Sequence, residues 1–569
     1  MRNAKKFIEY VGQYGGANEY YGDKGVVGKF KKSKDLLPIY LDGIDKLRKI
    51  TPNDFRLTPP ASENDLEDSI SDLILELLNY VRGNLRYCEV IRRETVIYFI
   101  CDYHHPKVVL FCYDIISNLL DNSSTIHNLG NQIEQIFALC KRYHPDYQAS
   151  FLISYAIREN LYYSHLGRRR WIFGTGVESK IFFETSLSDD LINQTLDLSK
   201  KGCKNIFQEA RVSSPKYTIS QTEGEALSKI GDLSFPLVVK PSNGSKGKGV
   251  TANIRSIPQL KNAITYALAN FYGNDSIILE EHVRGLEYRF TCVDGKIVAV
   301  TNRKPPYVVG NGFKTIKQLI AQCNASRTIN LRRSLYLRPI KIDETVDSIL
   351  ESQGYTFDDI VADGVKVRIR ENSNVSSGGS YVSPNFVNPN ILDEVRRIMN
   401  QVPYFSFGID YITSDISKKS EDAAGAFLEI NETPGTELLT AQGYSSADIG
   451  QCFLRKCENR KEVDIYIYND ISEIITTEHY AEDTIILPNY VLDKRKIKRV
   501  TGVSSHFNIA DHFLANPNSR LNILISESYF TERGLPVIPN SKVYIGNDVS
   551  GYVTETISKA EITYYRLPE

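Results

Sequence analysis

No run of the sequence approaches the ~18 consecutive apolar residues that a membrane-spanning helix needs. The opening MRNAKKFIEYVGQYGG has glycines and polar residues where a signal peptide would have an apolar core. An excess of charge of one sign is also missing, because 68 lysines and arginines face 69 aspartates and glutamates for a net charge of −1. No global field therefore draws the chain to nucleic acid or to a membrane, and we expect a cytoplasmic protein.

Metal-binding and disulfide patterns are absent as well. The nine cysteines are scattered without CxxC spacing, and Cys452 and Cys457 are the closest pair. Such a dispersed, odd-numbered set predicts reduced, partly buried thiols. The neighbouring His104 and His105 have diverging side chains in an ordinary backbone, so we interpret them as structural or surface histidines. No internal repeat is visible, and the 569 residues predict about three or four domains.

The N-terminal region alternates helical and strand-like patterns. The segment SENDLEDSISDLILELLNYV predicts a helix that Ser62 or Asn64 caps, and STIHNLGNQIEQIFALCKRY predicts another. The β-branched segments ETVIYFI and KVVLFCYDII are typical of strands. The sequence thus predicts an N-terminal α/β region in which we find no chemical motif.

From Phe235 onward, short β-branched runs alternate with helical ones, which predicts an α+β unit rich in antiparallel strands. Asp294-Gly295 between two apolar runs predicts a hairpin. The polar segment SDISKKSEDAAG predicts a loop between the strands FGIDYIT and AFLEIN. After about residue 452, the segments EVDIYIYN, DTIILPNYV and LNILISESY predict a small appended α/β domain.

A loop rich in glycine, serine and lysine follows an apolar run in FPLVVKPSNGSKGKGVTANI, residues 235–254. The loop lacks the GxxxxGK[ST] pattern, and the β-type run VTANI follows it, so it joins two strands rather than a strand and a helix. A glycine-rich turn of this kind can approach phosphates with its backbone N–H groups, and Lys240 would add fixed positive charge. The alternative is a solvated hairpin.

Two groups of carboxylates follow this loop along the chain. Glu280 and Glu281 end a predicted strand and Glu287 follows a turn, which suits a linker whose backbone contacts adenine and whose carboxylate binds ribose hydroxyls. Further on, Glu429 and Asn431 point to the same face of one strand because strand side chains alternate.

With Asp410 from a neighbouring strand, Glu429 and Asn431 would offer the oxygen ligands that Mg²⁺ prefers. The alternative is a set of surface acids on exposed strands. The apolar neighbours Phe427, Leu428 and Ile430 argue against it.

These pieces, in this order, resemble the ATP-grasp fold. The runs VVKPSNGSKGKGV, EEHVRGLEYRFTCVDGKIVAVTNRKPPYVVGNGFKTIKQLI, RENSNVSSGG and FLEINETPG look like the ligase domain of cyanophycin synthetase and of bifunctional glutathione synthetase. HLGRRRWIFGTGVESKIFF and KKGCKNIFQEARVSSPKY are similar to the segments before the ATP site in cyanophycin synthetase. The resemblance covers roughly residues 147–450.

The resemblance implies a multidomain α+β fold with an ATP-grasp core, an N-terminal α/β region and a C-terminal α/β appendage. The boundaries that follow are 1–146 for the N-terminal region of unknown role, 147–234 for the segment leading into the ATP-grasp core, 235–320 for its nucleotide-binding subdomain, 321–451 for its metal and acyl-phosphate subdomain, and 452–569 for the appended domain. The implied activity is ATP-dependent carboxylate–amine ligation. In such enzymes a carboxylate attacks the γ-phosphate, and an amine captures the resulting acyl phosphate to form an amide.

The resemblance also implies roles for individual residues, by matching position. The implied ATP contacts are Lys204 and Lys240 at the phosphates, a flexible lid from Ser245 through Lys246 and Gly247 to Gly249, Glu280, Glu281 and Val283 in the adenine linker, and Glu287 at the ribose. Arg303 would stabilise the transferring phosphoryl group, since a guanidinium matches phosphate oxygens and stays charged. The remaining implied residues are Arg370, Asn374 and the run from Ser376 to Gly379 on the acyl-phosphate side, and Asp410, Glu429 and Asn431 as ligands of two Mg²⁺ ions.

The sequence departs from its relatives in three places. Arg211 stands where the family has the glycine of an EAGV turn, so the turn near Lys204 is expected to differ. Cyanophycin synthetase continues into a second half with its own GKT-type loop, and no such loop occurs after residue 450. The N-terminal region is shorter than the glutamate–cysteine ligase half of the glutathione enzyme and does not resemble it. This chain alone is therefore not predicted to make either cyanophycin or glutathione.

Three functions remain open from the sequence. The first is a ligase that joins amino acid or small peptide carboxylates to amines, with ATP and Mg²⁺ and without nucleic-acid or membrane partners. The second is a ligase that modifies a protein or peptide terminus. The third is a non-catalytic ATP-binding module, which would not require the full set of metal ligands and Arg303. We expect self-association, because related ligases are commonly dimers or tetramers.

Overall fold

The computed structural model describes residues 6–33, 35–51, 55–121, 125–166, 169–187, 198–242, 249–269, 276–328, 337–469, 484–487, 502–503 and 520–567. The chain forms two compact units. The terminal unit combines Met1–Glu184 with Leu454–Glu569, and the central unit is Thr185–Phe453. Helices and several mainly antiparallel sheets confirm the predicted α+β class. The finer five-part division stays a prediction.

The terminal unit begins with an antiparallel sheet covered by helices. The strands, in spatial order, are Ile8–Tyr14, Gly25–Phe30, Val96–Cys101 and Cys88–Arg93. The covering helices are Leu36–Arg48, Leu66–Asn79, Pro106–Leu119 and Ile126–Tyr143. Their apolar faces share one core with the sheet, so the burial of these side chains stabilises this α/β layer. The predicted strand ETVIYFI and the two predicted helices are confirmed. The predicted cap of the first helix is wrong, because Leu66–Asn79 begins after Asp65, and Ser62 instead donates its hydroxyl to the Asp65 carboxylate at 2.7 Å.

The segment KVVLFCYDII does not form the strand that its β-branched residues favour. It lies in the helix Pro106–Leu119. The His105 side chain accepts a hydrogen bond from the backbone N–H of Lys107 at 3.2 Å, and Pro106 occupies the first turn, where its missing N–H costs nothing. Val108 and Cys112, one turn apart, are both buried. Capping and helical spacing thus override β propensity here.

The rest of the terminal unit contains one helix, a small sheet and a parallel sheet. The helix is Tyr147–Arg158, and the small sheet includes the strands Tyr163–His165, Arg170–Phe173 and Lys180–Phe183. The parallel sheet has the spatial order Gly502–Val503, Thr484–Leu487, Arg520–Ser526, Glu462–Tyr468, Ser541–Ile545 and Tyr564–Arg566, with helices Glu527–Arg533 and Gly551–Lys559. These elements confirm the predicted α/β composition of the C-terminal region, which belongs to the same compact unit as residues 1–184.

The N-terminal and C-terminal parts of the chain are hydrogen-bonded to each other within this unit. The backbone N–H of Ala17 donates to the Leu535 carbonyl at 2.8 Å, and the Leu535 N–H donates back to the Ala17 carbonyl at 2.7 Å. The Gly15 N–H donates to the Arg533 carbonyl at 2.7 Å. Segments far apart in sequence therefore belong to one unit.

The central unit contains a first sheet that we call the Lys240 sheet. Its strands, in spatial order, are Thr251–Ile254, Leu237–Pro241, Ile277–Glu281 and Tyr217–Ser220. The helices Glu223–Ser228 and Ile257–Leu268 share the core of this sheet. The helix Lys200–Glu209 packs in the core of the second sheet, described next. The glycine-rich loop joins two adjacent antiparallel strands, as predicted. Its residues 243–248, which include the predicted lid residues Ser245, Lys246 and Gly247, lie outside the described residues.

The second sheet of the central unit, which we call the Asp410 sheet, has five antiparallel strands. Their spatial order is Ser380–Val382, Lys296–Lys304, Leu286–Val293, Ser406–Thr413 and Ala426–Asn431. The predicted hairpin is confirmed at Asp294 and Gly295, which have φ values of 47° and 69°, because a tight two-residue turn needs positive φ at both positions. Phe290 and Ile409 are fully buried in a core shared with the helix Pro389–Met399.

Between these strands the chain builds a smaller layer with its own core. The strands Tyr307–Val309 and Lys366–Arg368 pair, and the helices are Ile316–Thr328 and Glu344–Glu351. The remaining elements are the helix Ser446–Leu454, the strand Ser186–Leu187 and the 3₁₀ turns Glu63–Asp65, Gly176–Glu178, Ile230–Asp232, Val375–Ser377 and Thr436–Gln442. Among the described helices, none is long and apolar enough to cross a membrane.

Candidate active site

The central unit holds a cavity of about 510 Å³ to which the Lys240 sheet and the Asp410 sheet both contribute. The charged and amide side chains that line it are Lys200, Lys240, Glu280, Glu281, Glu287, Arg289, Arg303, Asn374, Asp410, Glu429 and Asn431. Its apolar lining includes Val238, Val250, Ala252, Val283, Ile412 and Leu428. A cavity of this size, with apolar walls and a few convergent charges, is typical of a small-molecule site.

Strand register brings the charged residues of the Asp410 sheet together. Three cross-strand pairs face each other directly: Glu287 with Arg303, Arg289 with Asp410, and Asp410 with Glu429. Direct partners on antiparallel strands share a face of the sheet, and residues two apart on one strand do as well. The intervening Tyr288, Phe290 and Ile409 point to the opposite face, into the core.

Asp410 accepts hydrogen bonds from two buried arginines. Arg289 donates through Nε to Oδ1 and through Nη2 to Oδ2, the latter at 3.0 Å, and Arg303 Nη2 lies 2.8 Å from Oδ2. Burial opposes ionisation of Asp410, but Arg289 and Arg303 hold its pKa well below the usual range. Asp410 is therefore a permanently charged carboxylate at neutral pH, fixed in orientation by the fork of Arg289.

Arg303 also bonds to Glu287, whose other carboxylate oxygen accepts from the Ser373 hydroxyl. Burial raises the pKa of Glu287 despite the nearby Arg303 charge. Arg303 is 8% exposed, and its Nε has no hydrogen-bond partner among the described residues. An unsatisfied buried donor costs about 1–3 kcal/mol. This N–H is thus available to an acceptor that enters the cavity.

The proposed metal ligands lie together in the cavity. Asn431 Nδ2 is 3.3 Å from Glu429 Oε1 and 3.4 Å from Asp410 Oδ2. Burial and the adjacent Asp410 charge raise the pKa of Glu429. A divalent cation would relieve this repulsion, and its preferred ligands are carboxylate and amide oxygens, so the residues fit Mg²⁺. The described chain has no cluster of three His, Cys, Asp or Glu side chains arranged for a metal, so the remaining ligands would come from phosphate and water.

A buried ion-pair triad contributes positive charge from the Lys240 sheet. Glu280 lies 2.5 Å from Lys240 Nζ and 2.9 Å from Lys204 Nζ. Burial opposes ionisation of Glu280, yet the two lysines hold its pKa below the ordinary value. Lys240 lines the cavity, whereas Lys204 is 2% exposed and lies outside the described lining. The predicted phosphate contact of Lys204 stays a prediction, and its observed partner is Glu280.

Lys200 reaches the cavity from the same helix as Lys204. The two lysines are one turn apart and so share a helix face. Burial and the nearby Lys240 charge lower the pKa of Lys200 although Glu429 opposes this. In the segment KKGCK, Lys200 and Lys204 are spaced by one helical turn. This spacing indicates a shared helix face but does not show which lysine faces the cavity.

Arg289 is the second functional candidate that sequence reasoning missed. It lies two residues after Glu287 on the same strand and therefore points to the same face. The alternation rule could have found it, since Glu287 was already a candidate. Its contact with Asp410 depends on strand pairing that the sequence does not reveal.

Of the other predicted residues, some line the cavity and Arg370 does not. Val283 and Asn374 line the cavity, as does Glu281, whose carboxylate accepts from the Ser234 N–H at 3.0 Å. Arg370 lies outside the described lining, because its guanidinium is bound to Asp343 at 2.8 Å. In the Ser376–Gly379 run, Gly378 has φ of 98°, a conformation that glycine adopts freely. Gly249, after the lid, has φ of 73°.

Arg211, which stands where the family has a glycine, adopts a backbone conformation that glycine takes freely. Its φ is 53°, in the left-handed region, and its N–H donates to the Gln208 carbonyl at 3.0 Å. The helix Lys200–Glu209 therefore ends in a left-handed turn. Arg211 thus takes a left-handed conformation that costs a residue with a Cβ some strain, and the expected difference from the family's turn stays a prediction.

Comparison with known proteins confirms the resemblance seen in the sequence. The chain is 32% identical over 301 residues to cyanophycin synthetase of Crocosphaera subtropica, which covers 52% of this chain and 34% of that protein. It is 28% identical over 277 residues to the bifunctional glutathione biosynthesis protein of Clostridium perfringens, which covers 48% of this chain and 34% of that protein. The matched region thus spans 34% of the length of either relative.

Solved structures and family models were also compared with the chain. A bifunctional glutathione synthetase from Pasteurella multocida matches at 16% identity, covering 73% of this chain and 79% of that chain with a TM-score of 0.39. A D-Ala:D-Ser ligase from Enterococcus faecalis matches at 15% identity, covering 46% and 62% with a TM-score of 0.29. No protein-family model matches the chain.

Proposed function

We propose that the central unit is an ATP-dependent carboxylate–amine ligase. A carboxylate would attack the γ-phosphate of ATP to give an acyl phosphate, and an amine would capture the acyl group to form an amide, with release of ADP and phosphate. The observation that carries the proposal is Arg303, a buried guanidinium whose Nε has no described partner, placed 2.8 Å from Asp410 in a cavity lined by Lys240 and Glu429.

The charge of each residue would determine its role in catalysis. Lys240 and Lys200 would neutralise the ATP phosphates, and Arg303 would bind an oxygen of the phosphoryl group in transfer. Glu287 would exchange its bond to Arg303 for the ribose hydroxyls, which leaves more of the Arg303 guanidinium for phosphate. Val238, Val250 and the other apolar wall residues would cover the base. No covalent nucleophile is required, because positioning and charge neutralisation supply the rate enhancement.

Asp410, Glu429 and Asn431 would hold Mg²⁺, and we propose two ions. The metal supplies charge neutralisation of the phosphate oxygens. Arg289 would keep Asp410 in the ligating orientation, as hydrogen-bonded outer partners do for metal ligands generally.

Amino acids or small peptides are the proposed substrates. The relatives are named for synthesis of cyanophycin and of glutathione. A ligase acting on a protein or peptide terminus is the second candidate, and a non-catalytic ATP-binding module is the third. Arg303 and Asp410 are buried and ion-paired, and the half-buried Glu429 lies opposite Asp410, a combination that favours catalysis over simple binding. The expected self-association and cytoplasmic location stay predictions.

The test is product analysis of the full chain with Mg-ATP and pooled amino acids, including diamino and aromatic ones. We expect ADP and a new mass equal to two components minus water, and loss of both in Glu429→Ala and Asn431→Ala. Lys261→Ala, on the helix Ile257–Leu268, is the control that should remain active. AMP with pyrophosphate would contradict the acyl-phosphate route. ATP binding without turnover in every pool would support a macromolecular acceptor or the non-catalytic module.

A further inference from the structure

The terminal unit contains a basic cavity of about 480 Å³ that the proposed ligase chemistry does not use. Cations from three separate segments line it: Arg82, Lys141 with Arg142, and Arg169. Asp146 is the one carboxylate in the described lining. A cavity of this volume matches the size of a small-molecule site. Arg169 is already ion-paired with Glu184, so Arg82, Lys141 and Arg142 are the cations that favour an anionic occupant.

Asp146 has little capacity left to neutralise these cations. Its Oδ1 accepts from the backbone N–H groups of Gln148 and Ala149, both at 3.0 Å, and so caps the helix Tyr147–Arg158. Its Oδ2 lies 3.9 Å from Arg169 Nε. Lys141 and Arg142 lie in the last turn of the helix Ile126–Tyr143. Neither forms an ion pair with a carboxylate of the described residues, whereas Arg169 lies near Asp146.

His144 gives the second, independent sign of a ligand. It is 6% exposed and lines the cavity, and its Nδ1 lies 2.9 Å from the Val81 carbonyl. A carbonyl only accepts, so Nδ1 carries the hydrogen. Burial lowers the pKa of His144 to about 4, which keeps the ring neutral and leaves a lone pair on Nε2. This buried Nε2 has no hydrogen-bond partner among the described residues.

In the neighbouring His104, one ring nitrogen also donates to a backbone carbonyl. Its Nε2 donates to the Gly83 carbonyl, and its ring centroid is 5.4 Å from that of His144. Burial and the neighbouring His144 lower the pKa of His104 to about 3. Both rings are therefore acceptors rather than cations at neutral pH. A bare anion would be repelled by the lone pair on His144 Nε2, whereas a molecule that also offers an O–H or N–H would satisfy it.

We propose that this cavity binds a small oxyanion, a phosphate or carboxylate group, whose molecule also donates a hydrogen bond to His144 Nε2. The anionic oxygens would face Arg82, Lys141 and Arg142, and guanidinium groups suit such oxygens because they donate two parallel bonds. Hydrogen phosphate and N-acylated acidic amino acids both combine the two features. The proposal concerns the terminal unit and does not depend on ligase activity.

The experiment is calorimetric titration of the full chain, without ATP, with inorganic phosphate and separately with N-acetylglutamate. Wild type is expected to bind at least one of the two, and the tighter probe identifies the source of the oxyanion. The double variant Lys141→Gln/Arg142→Gln should weaken binding by about tenfold or more. The bond that the Lys141 carbonyl accepts from Arg82 at 3.2 Å is a backbone contact and survives this change.

The matched control is Lys46→Gln/Arg48→Gln, which removes two cations from the last turn of the helix Leu36–Arg48 in the same unit. Binding should be unchanged there. His144→Asn tests the orphaned nitrogen, because the asparagine amide can replace Nδ1–H as donor to Val81 while Nε2 is deleted. The His144→Asn variant should bind the probe more weakly, while its thermal unfolding temperature stays close to that of wild type. Absence of binding to both probes in wild type, or equal weakening in the control, would overturn the proposal.

Discussion

Arg289 and Asp410 are direct cross-strand partners, and the guanidinium donates to both carboxylate oxygens. Gly408, two residues before Asp410, leaves the space that the arginine side chain occupies. This relationship fixes the orientation of the central carboxylate in the cavity. The proposed function is therefore sensitive to changes at residues that would contact neither ATP nor substrate.

Arg289→Lys is expected to keep the positive charge but lose the two-pronged bond to Asp410, since an ammonium is a point charge. ADP formation should fall by about 10- to 100-fold, the usual cost when a metal ligand, the role proposed for Asp410, loses its hydrogen-bonded partner. Arg255→Lys, at an exposed position of the same unit, should leave the rate unchanged. Steady-state ADP release measures both variants, and equal rates in the two would refute the positioning role of Arg289.

Gly408→Ala should disturb the same contact from the other side. The added Cβ would lie 2.7 Å from Arg289 Cδ and 2.8 Å from Nη1, so the side chain has to leave Asp410. We expect a destabilisation of about 1–3 kcal/mol, typical of overpacking, together with slower ADP release. Gly224→Ala is the control, because nothing lies within 4 Å of its new Cβ. Urea unfolding and ADP release should both differ between Gly408→Ala and Gly224→Ala. Identical results for the two variants would contradict the close packing of Arg289 against Gly408.

Glu280→Gln should destabilise the central unit at neutral pH by about 3–5 kcal/mol, because Lys204 and Lys240 lose their shared carboxylate. The pH dependence follows from the lowered pKa of Glu280. Its stabilising effect is complete above its ordinary value of 4.5 and is lost as pH falls through the lowered folded-state pKa. Urea midpoints across acidic pH should therefore fall more steeply in wild type than in Glu280→Gln. Parallel curves would show that this triad does not contribute to acid sensitivity.

Arg211→Gly should raise the free energy of unfolding by about 0.5–1 kcal/mol, since glycine adopts the left-handed turn without the strain that arginine pays. Gln208→Gly, one turn earlier in the helical backbone, should lower it by about 1 kcal/mol. Chemical denaturation of both variants gives the comparison. A destabilised Arg211→Gly would mean that the arginine side chain makes a contribution larger than its backbone strain.

Local patterns predicted much of the fold, because hairpins and amphipathic helices depend on residues close in sequence. Asp294-Gly295 identified the turn that pairs Glu287 with Arg303. The pairing of Arg289 with Asp410 joins residues that are 121 positions apart, so no local pattern contains it. Strand alternation placed Glu429 and Asn431 on one face but could not supply the register that adds Asp410.

The errors and omissions have different physical causes. KVVLFCYDII is rich in strand-forming residues, and its helix is decided by the His105 cap and by burial at helical spacing. Lys200 and Lys204 share one helix face, so their different roles depend on how that helix packs. The association of the N-terminal and C-terminal segments through Ala17 and Leu535 is a long-range contact that sequence patterns do not encode.

The most direct test of the proposed chemistry follows oxygen from the carboxylate substrate. Once a productive pair of amino acids is known, the acid component is supplied with ¹⁸O in its carboxylate, and the released phosphate and nucleotide are examined by mass spectrometry. An acyl-phosphate route transfers one labelled oxygen to inorganic phosphate, with ADP unlabelled. Label in AMP, or amide formation with unlabelled phosphate, would contradict the account.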